Sequence, residues 1–140
     1  MAIERMDHVG IVVQDLAAAT DFFLRLGLEP QGEGSVGGDW VDRVVGLDGV
    51  RAKLVMLRTP DGHGRLELVE FESPPAQGHD EHAPANALGI RHVTFAVDDL
   101  DAATEGLELV GEIVNYEDIY RLCYVRGPEG IIVELAEKIS

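Results

Sequence analysis

Cysteine is almost absent from this chain: Cys123 is the only one in 140 residues. That excludes an internal disulfide and fits a reducing compartment, so a cytoplasmic location is expected. Cys123 sits in the apolar run YRLCYV, where a small buried hydrophobe is expected rather than a reactive thiol. Long hydrophobic runs are missing too; none approaches the roughly 18–20 residues of a membrane helix. The first residues, MAIERMDHVG, carry charges and then enter a strand pattern, unlike a signal peptide. Basic residues are scarce, 11 Lys and Arg against 26 Asp and Glu, for a net charge of −15. This argues against nucleic acid and anionic membrane as partners, while a few local arginines would still suffice for an anionic small substrate. Hydrophobic content of 46% and charged content of 26% are ordinary for a globular protein.

What the chain does have is an internal repeat. HVGIVVQDLAAATDFFLRLG at 8–27 and HVTFAVDDLDAATEGLELVG at 92–111 align without a gap at an offset of 84, with 9 of 20 positions identical. Among them are His8/His92, Asp15/Asp99, Leu16/Leu100, Thr20/Thr104 and Gly27/Gly111. Composition alone would give roughly one or two matches. Such a repeat means two copies of one supersecondary unit.

Each copy opens with an alternating strand. His8, Gly10 and Val12 share one face and Val9, Ile11 and Val13 the other; His92, Thr94 and Ala96 oppose Val93, Phe95 and Val97. The small residues beside each histidine suggest a face bordering a cavity. A helix should follow, N-capped by Asp15 or Asp99. Its apolar stripe is Leu16, Ala19, Phe23 and Leu26 in one copy, and Leu100, Ala103, Leu107 and Val110 in the other. Gly27 and Gly111 stand where a left-handed terminator is expected. Hairpins are then predicted from 52–58 with 65–71 and from 120–126 with 131–137.

In this second part the repeat continues at an offset of 68, matching Arg58, Pro60 and Gly62 to Arg126, Pro128 and Gly130. The first copy therefore carries about 16 extra residues, between 31 and 51, including a short amphipathic helix in GGDWVDRVVGL. The expected organisation is a single domain over 1–140: a βαβββ module at 5–72 with its insertion at 31–51, a Pro-rich linker at 73–88, and a second βαβββ module at 89–140. The fold class is α+β, two tandem modules forming a cleft between curved mixed sheets.

Strand parity places Glu67 opposite Leu66 and Leu68, and Glu134 opposite Val133 and Leu135. A mid-strand carboxylate is costly to bury unless it is paired or bound to a cation. If the apolar faces pack on the helices, Glu67 and Glu134 point to the same cleft as His8 and His92. Two imidazoles and two carboxylates suit a divalent transition metal: Zn, Ni, Co, Mn or Fe. Singly, each could be a hydrogen-bonded strand histidine or an exposed glutamate; the recurrence of the set at matched positions favours a site.

The motifs HVGIVVQDL, LELVEF, IRHVTFAVDDL and VRGPEGIIVELAE resemble the vicinal oxygen chelate superfamily of glyoxalase, bleomycin-resistance and extradiol-dioxygenase proteins, over nearly the whole chain. The resemblance implies paired βαβββ modules and a metal held by His8, Glu67, His92 and Glu134. The set is similar to that of glyoxalase I and close to that of methylmalonyl-CoA epimerase, which tends to have Gln for the first Glu. The function so implied is a metal-dependent lyase or isomerase that stabilises an enolate or enediolate of a small oxygenated or thioester substrate. Glu134 or Glu67 would serve as the catalytic base, with Glu134 favoured. The alternatives are a non-catalytic small-molecule binding or resistance protein, and an Fe(II) ring-cleaving dioxygenase, against which the fourth donor, Glu67, counts. A homodimer is expected.

The chain departs from glyoxalase I in lacking an arginine on its first strand and in carrying the 31–51 segment. Arg43, Lys53, Arg91 and Arg121 are the basic residues expected nearest the cleft, with surface solvation the plainer role for each. His63, in a turn, and His79 and His82, in the linker, are expected to be solvated. Trp40 is expected to anchor the inserted helix or line the cleft mouth, and Tyr120 and Tyr124 to pack.

Overall fold

The alternating pattern after His8 becomes strand β1 (Val9–Val12) in the computed structural model, which describes residues 2–78 and 80–140. The chain divides into two compact units, Met1–Gly78 and His79–Ser140. In the first, β1 is followed by α1 (Leu16–Leu26), β2 (Glu29–Gly37), α2 (Asp39–Val45), β3 (Arg51–Arg58) and β4 (Arg65–Ser73). The sheet order is β1-β4-β3-β2, with β1 parallel to β4 and the remaining pairs antiparallel.

Two carboxylates hold the start of α1. Asp15 accepts from the Ala18 N–H at 3.0 Å as the N-cap, and Glu70 of β4 reaches across to accept from the Leu16 N–H at 3.0 Å. Together they satisfy donors that a helix start otherwise leaves unpaired. At the other end Gly27 takes the left-handed conformation (φ 114°) that a side chain would resist. The predicted stripe is where α1 meets β3 and β4, with Ala19 and Phe23 fully buried and Leu57, Leu66 and Leu68 closing the layer from the strands. Each large apolar side chain buried here contributes about 1.5–3 kcal/mol.

The second unit runs β5 (His92–Val97), α3 (Leu100–Thr104), β6 (Glu108–Leu109), β7 (Val114–Tyr116), β8 (Tyr120–Arg126), a short 3-10 turn at Pro128–Gly130, and β9 (Ile132–Lys138). Its sheet order is β5-β9-β8-β6, β5 being parallel to β9, with β7 also pairing β8. The capping repeats: Asp99 accepts from the Ala102 N–H at 3.1 Å and Glu137 from the Leu100 N–H at 2.7 Å. Leu100, Cys123, Val125, Val133 and Leu135 form the buried layer. No helix among the described residues is long and apolar enough to cross a membrane.

One expected element is much shorter than its sequence pattern. The helix predicted over 100–110 stops at Thr104, and Gly106 turns the chain at φ 77°. An interior glycine is a weak helix residue by about 1 kcal/mol, and it can turn without strain. Glu108 then pairs with Arg126 as Glu29 pairs with Arg58, so Leu107 and Val110 leave the helix stripe. Gly111 is not a helix terminator, although it is identical to Gly27.

The inserted segment does contain a helix, α2, but Trp40 does not anchor it. Trp40 is 61% exposed, whereas Val41 is buried with Val50 and Ala52 against Val36, Val69 and Phe71. Asp42 fastens the loop behind the helix by accepting from the Gly49 and Val50 N–H groups at 2.9 and 2.8 Å. Val69 and Phe71 lie on the Glu67 side of β4 by strand alternation, so α2 covers one end of the face that carries Glu67.

Candidate metal half-sites

Each unit brings one histidine and one glutamate to the sheet face opposite its helix. Glu70 and Glu137 mark the helix side, and Glu67 and Glu134, three residues earlier on the same strands, point the other way. In the first unit His8 stands one residue ahead of β1, on the side of Gly10, whose register partner in β4 is Glu67. Gly10 leaves this spot open: a Cβ there would come within 3.9 Å of Glu67 Oε1. His8 Nδ1 lies 2.8 Å from Asp7 Oδ2. A carboxylate only accepts, so Nδ1 is the donor in this contact, and Nε2 is the nitrogen left to face a cation. The His8 hydrogen bond, with help from Arg65, holds the exposed Asp7 carboxyl below the ordinary carboxylate range.

In the second unit the pair is in contact. His92 Nε2 lies 3.6 Å from Glu134 Oε1, and the same oxygen accepts from Thr94 Oγ1 at 2.9 Å. On its other side, His92 Nδ1 is 3.5 Å from the Tyr124 hydroxyl, with ring centroids 4.9 Å apart. Tyr124 faces Glu134 across the β8–β9 register. In both units an oxygen group thus sits at Nδ1, the arrangement that orients an imidazole to bind through Nε2. Among the described residues, no group of three or more His, Cys, Asp or Glu side chains lies close enough together to hold a metal ion. Each unit presents one histidine and one glutamate on its open face.

Other expected residues do not join these faces. Arg121 lies on the helix side of β8, held by Asp101 of α3 through contacts of 3.1 and 2.9 Å. Arg91 donates to the carbonyls of Ala83 and Pro84. Lys53 and Arg43 pair with Glu72 and Asp39 near the surface. His63 and His82 occupy exposed turns stabilised by Asp61 and Asp80, and His79 lies outside the described residues. Cys123 is buried, and desolvation pushes its thiol up, so it is no nucleophile. Tyr124 does more than pack, because its hydroxyl reaches the histidine; its position opposite Glu134 could have signalled this had the register been known. Thr94 was visible only as a small residue on the histidine face.

With this geometry in place, comparison with known proteins defines the class. A model of the Glyoxalase/Bleomycin resistance protein/Dioxygenase superfamily matches residues 5–135, and the chain belongs to that superfamily. It is similar to the glyoxalase family protein of Bacillus cereus, with 46% identity, coverage of 100% of this chain and 97% of that one, and a TM-score of 0.95. It is 28% identical to YwbC, an uncharacterised protein of Bacillus subtilis (strain 168), over 96% of this chain and 98% of that protein. The fosfomycin resistance protein FosX of Listeria monocytogenes shares the fold at a TM-score of 0.59 and 19% identity, covering 96% of this chain and 93% of that one.

Proposed function

We propose that the protein is a metal-dependent lyase or isomerase of the glyoxalase I and methylmalonyl-CoA epimerase type, in which His8, Glu67, His92 and Glu134 bind one divalent ion. The observation that carries this reading is the recurrence, in both units, of a histidine and a glutamate on the open sheet face, each imidazole backed by an oxygen group at Nδ1. The donor chemistry fits: two imidazoles and two carboxylates match Zn, Ni, Co, Mn or Fe. When bound, such an ion acts as a Lewis acid toward a carbonyl oxygen and its enolate.

The remaining work falls to this chain's own groups. Asp7 and Tyr124 orient the imidazoles, and Thr94 holds Glu134. A carboxylate oxygen of Glu134 or Glu67 takes the proton from the carbon beside the carbonyl and returns it.

The reading is tested by deuterium wash-in from D2O into small 2-hydroxycarbonyl compounds and acyl thioesters, followed by NMR. Exchange that needs added metal and disappears in a Glu134→Gln variant is expected. Metal-independent binding without exchange would instead support the second reading, a protein that sequesters a small molecule, which draws on the bleomycin-resistance members of the superfamily. Oxygen uptake with catechols would point to the dioxygenase branch.

A further inference from the structure

We propose that a gap in the second sheet, beside Tyr124, is a specificity groove that takes an uncharged aliphatic substituent of the substrate; this rests on the metal-centre reading above. The gap follows from the strand register. Leu109 pairs with Val125 and Val114 with Leu122, so the β6–β7 side places four residues between these pairs where β8 places two. Gly111, Glu112 and Ile113 are thereby left opposite Cys123 alone, an oversized bulge of the kind that re-aims side chains next to active sites. The shortened α3 has the same consequence, because it delivers Val110 to the sheet, where its N–H donates to the Tyr124 carbonyl at 2.8 Å.

A cavity of about 240 Å³ opens here, lined by Val110, Glu112, Val114, Leu122 and Tyr124 among others. Leu122 and Tyr124 are two apart on β8, and Val114 pairs with Leu122, so all three share the face that carries Glu134. Tyr124 is the link, since it lines the groove and its hydroxyl lies 3.5 Å from His92 Nδ1. A molecule whose two oxygens lie at the metal donors can therefore lay a short apolar chain past Tyr124 onto Val110, Val114 and Leu122. The lone carboxylate of the lining, Glu112, disfavours a chain ending in a negative charge.

The groove is tested with acetohydroxamate and hexanohydroxamate, which offer the same two oxygens but differ by four methylenes. In the metal-free protein, hexanohydroxamate should shift the methyl NMR signals of Val110, Val114 and Leu122, and acetohydroxamate should not. In the metal-loaded protein both should bind, with the longer probe on the order of 10-fold tighter, a fraction of what full burial of its methylenes would give. Val114 is 53% exposed, so Val114→Trp can fill the groove without disturbing the core. In that variant the advantage of the longer probe should fall to within about two-fold while acetohydroxamate binding stays unchanged. Equal affinity of the two probes in the wild-type protein, an advantage that survives Val114→Trp, or methyl shifts scattered away from the groove would overturn the proposal. If metal fails to strengthen acetohydroxamate binding, the metal reading falls, and the methyl shifts in the metal-free protein still decide the groove.

Discussion

Thr94 and Tyr124 make the second His–Glu pair chemically richer than the first. Their counterparts at the repeat offsets are Gly10 and Met56, which offer no hydroxyl. Thr94 fixes one oxygen of Glu134, and groups that orient ligands in this way are commonly worth 10–100-fold in metal affinity. Thr94→Val is therefore expected to weaken metal binding by about that factor while leaving the unfolding midpoint nearly unchanged. Competition with a chromophoric chelator measures the first quantity and urea titration the second. Glu70 and Glu137 are the other informative residues, each accepting from the first helical N–H of its unit. Replacing either by Ala should cost about 1–2 kcal/mol in urea unfolding, and Gln, which can still accept, should recover most of it. Equal losses for Ala and Gln would show that the hydrogen bond is not the source.

Among the elements, α2 and α3 separate what the sequence could reveal from what it could not. The inserted helix is legible from its amphipathic pattern, but its anchor is not, because Trp40 and Val41 are neighbours and only the packing decides between them. Val41→Ala should destabilise by about 2 kcal/mol, whereas Trp40→Ala should stay within about 0.5 kcal/mol. In α3 the 3-4-3 stripe continued past the real end of the helix, since periodicity cannot report that Gly106 turns and that β8 offers pairing to Glu108. What remains of α3 is tied to β8 by Asp101 and Arg121. The guanidinium, through its hydrogen bonds and charge, holds the exposed Asp101 carboxyl below its ordinary value. A depressed carboxyl stabilises the fold above its unfolded pKa of about 3.9 and loses that contribution as pH falls through the lowered folded value. Asp101→Asn should accordingly lower Tm by about 1–3 °C at neutral pH, and the difference from wild type should vanish in strong acid. A difference that persists there would contradict the linkage.

For the whole molecule, the repeat carried the fold because two copies of one pattern constrain each other. Strand parity also carried His8, Glu67, His92 and Glu134 to one face of each sheet, since alternation depends on sequence alone. Tyr124, Glu137 and the groove were not legible, because each depends on which residues face one another across strands. The chain belongs to a superfamily that includes glyoxalases, bleomycin resistance proteins and dioxygenases. The proposed donor set, one imidazole and one carboxylate from each unit around one ion, is what would set a lyase or isomerase apart from the other members. The most direct test is the divalent metal content of protein purified without an affinity tag, for the wild type and for His8→Ala, Glu67→Ala, His92→Ala and Glu134→Ala. Stoichiometric metal in the wild type and its loss in all four variants is the expected result; a wild type without stoichiometric metal, or loss confined to the variants of one unit, would contradict a shared four-donor centre.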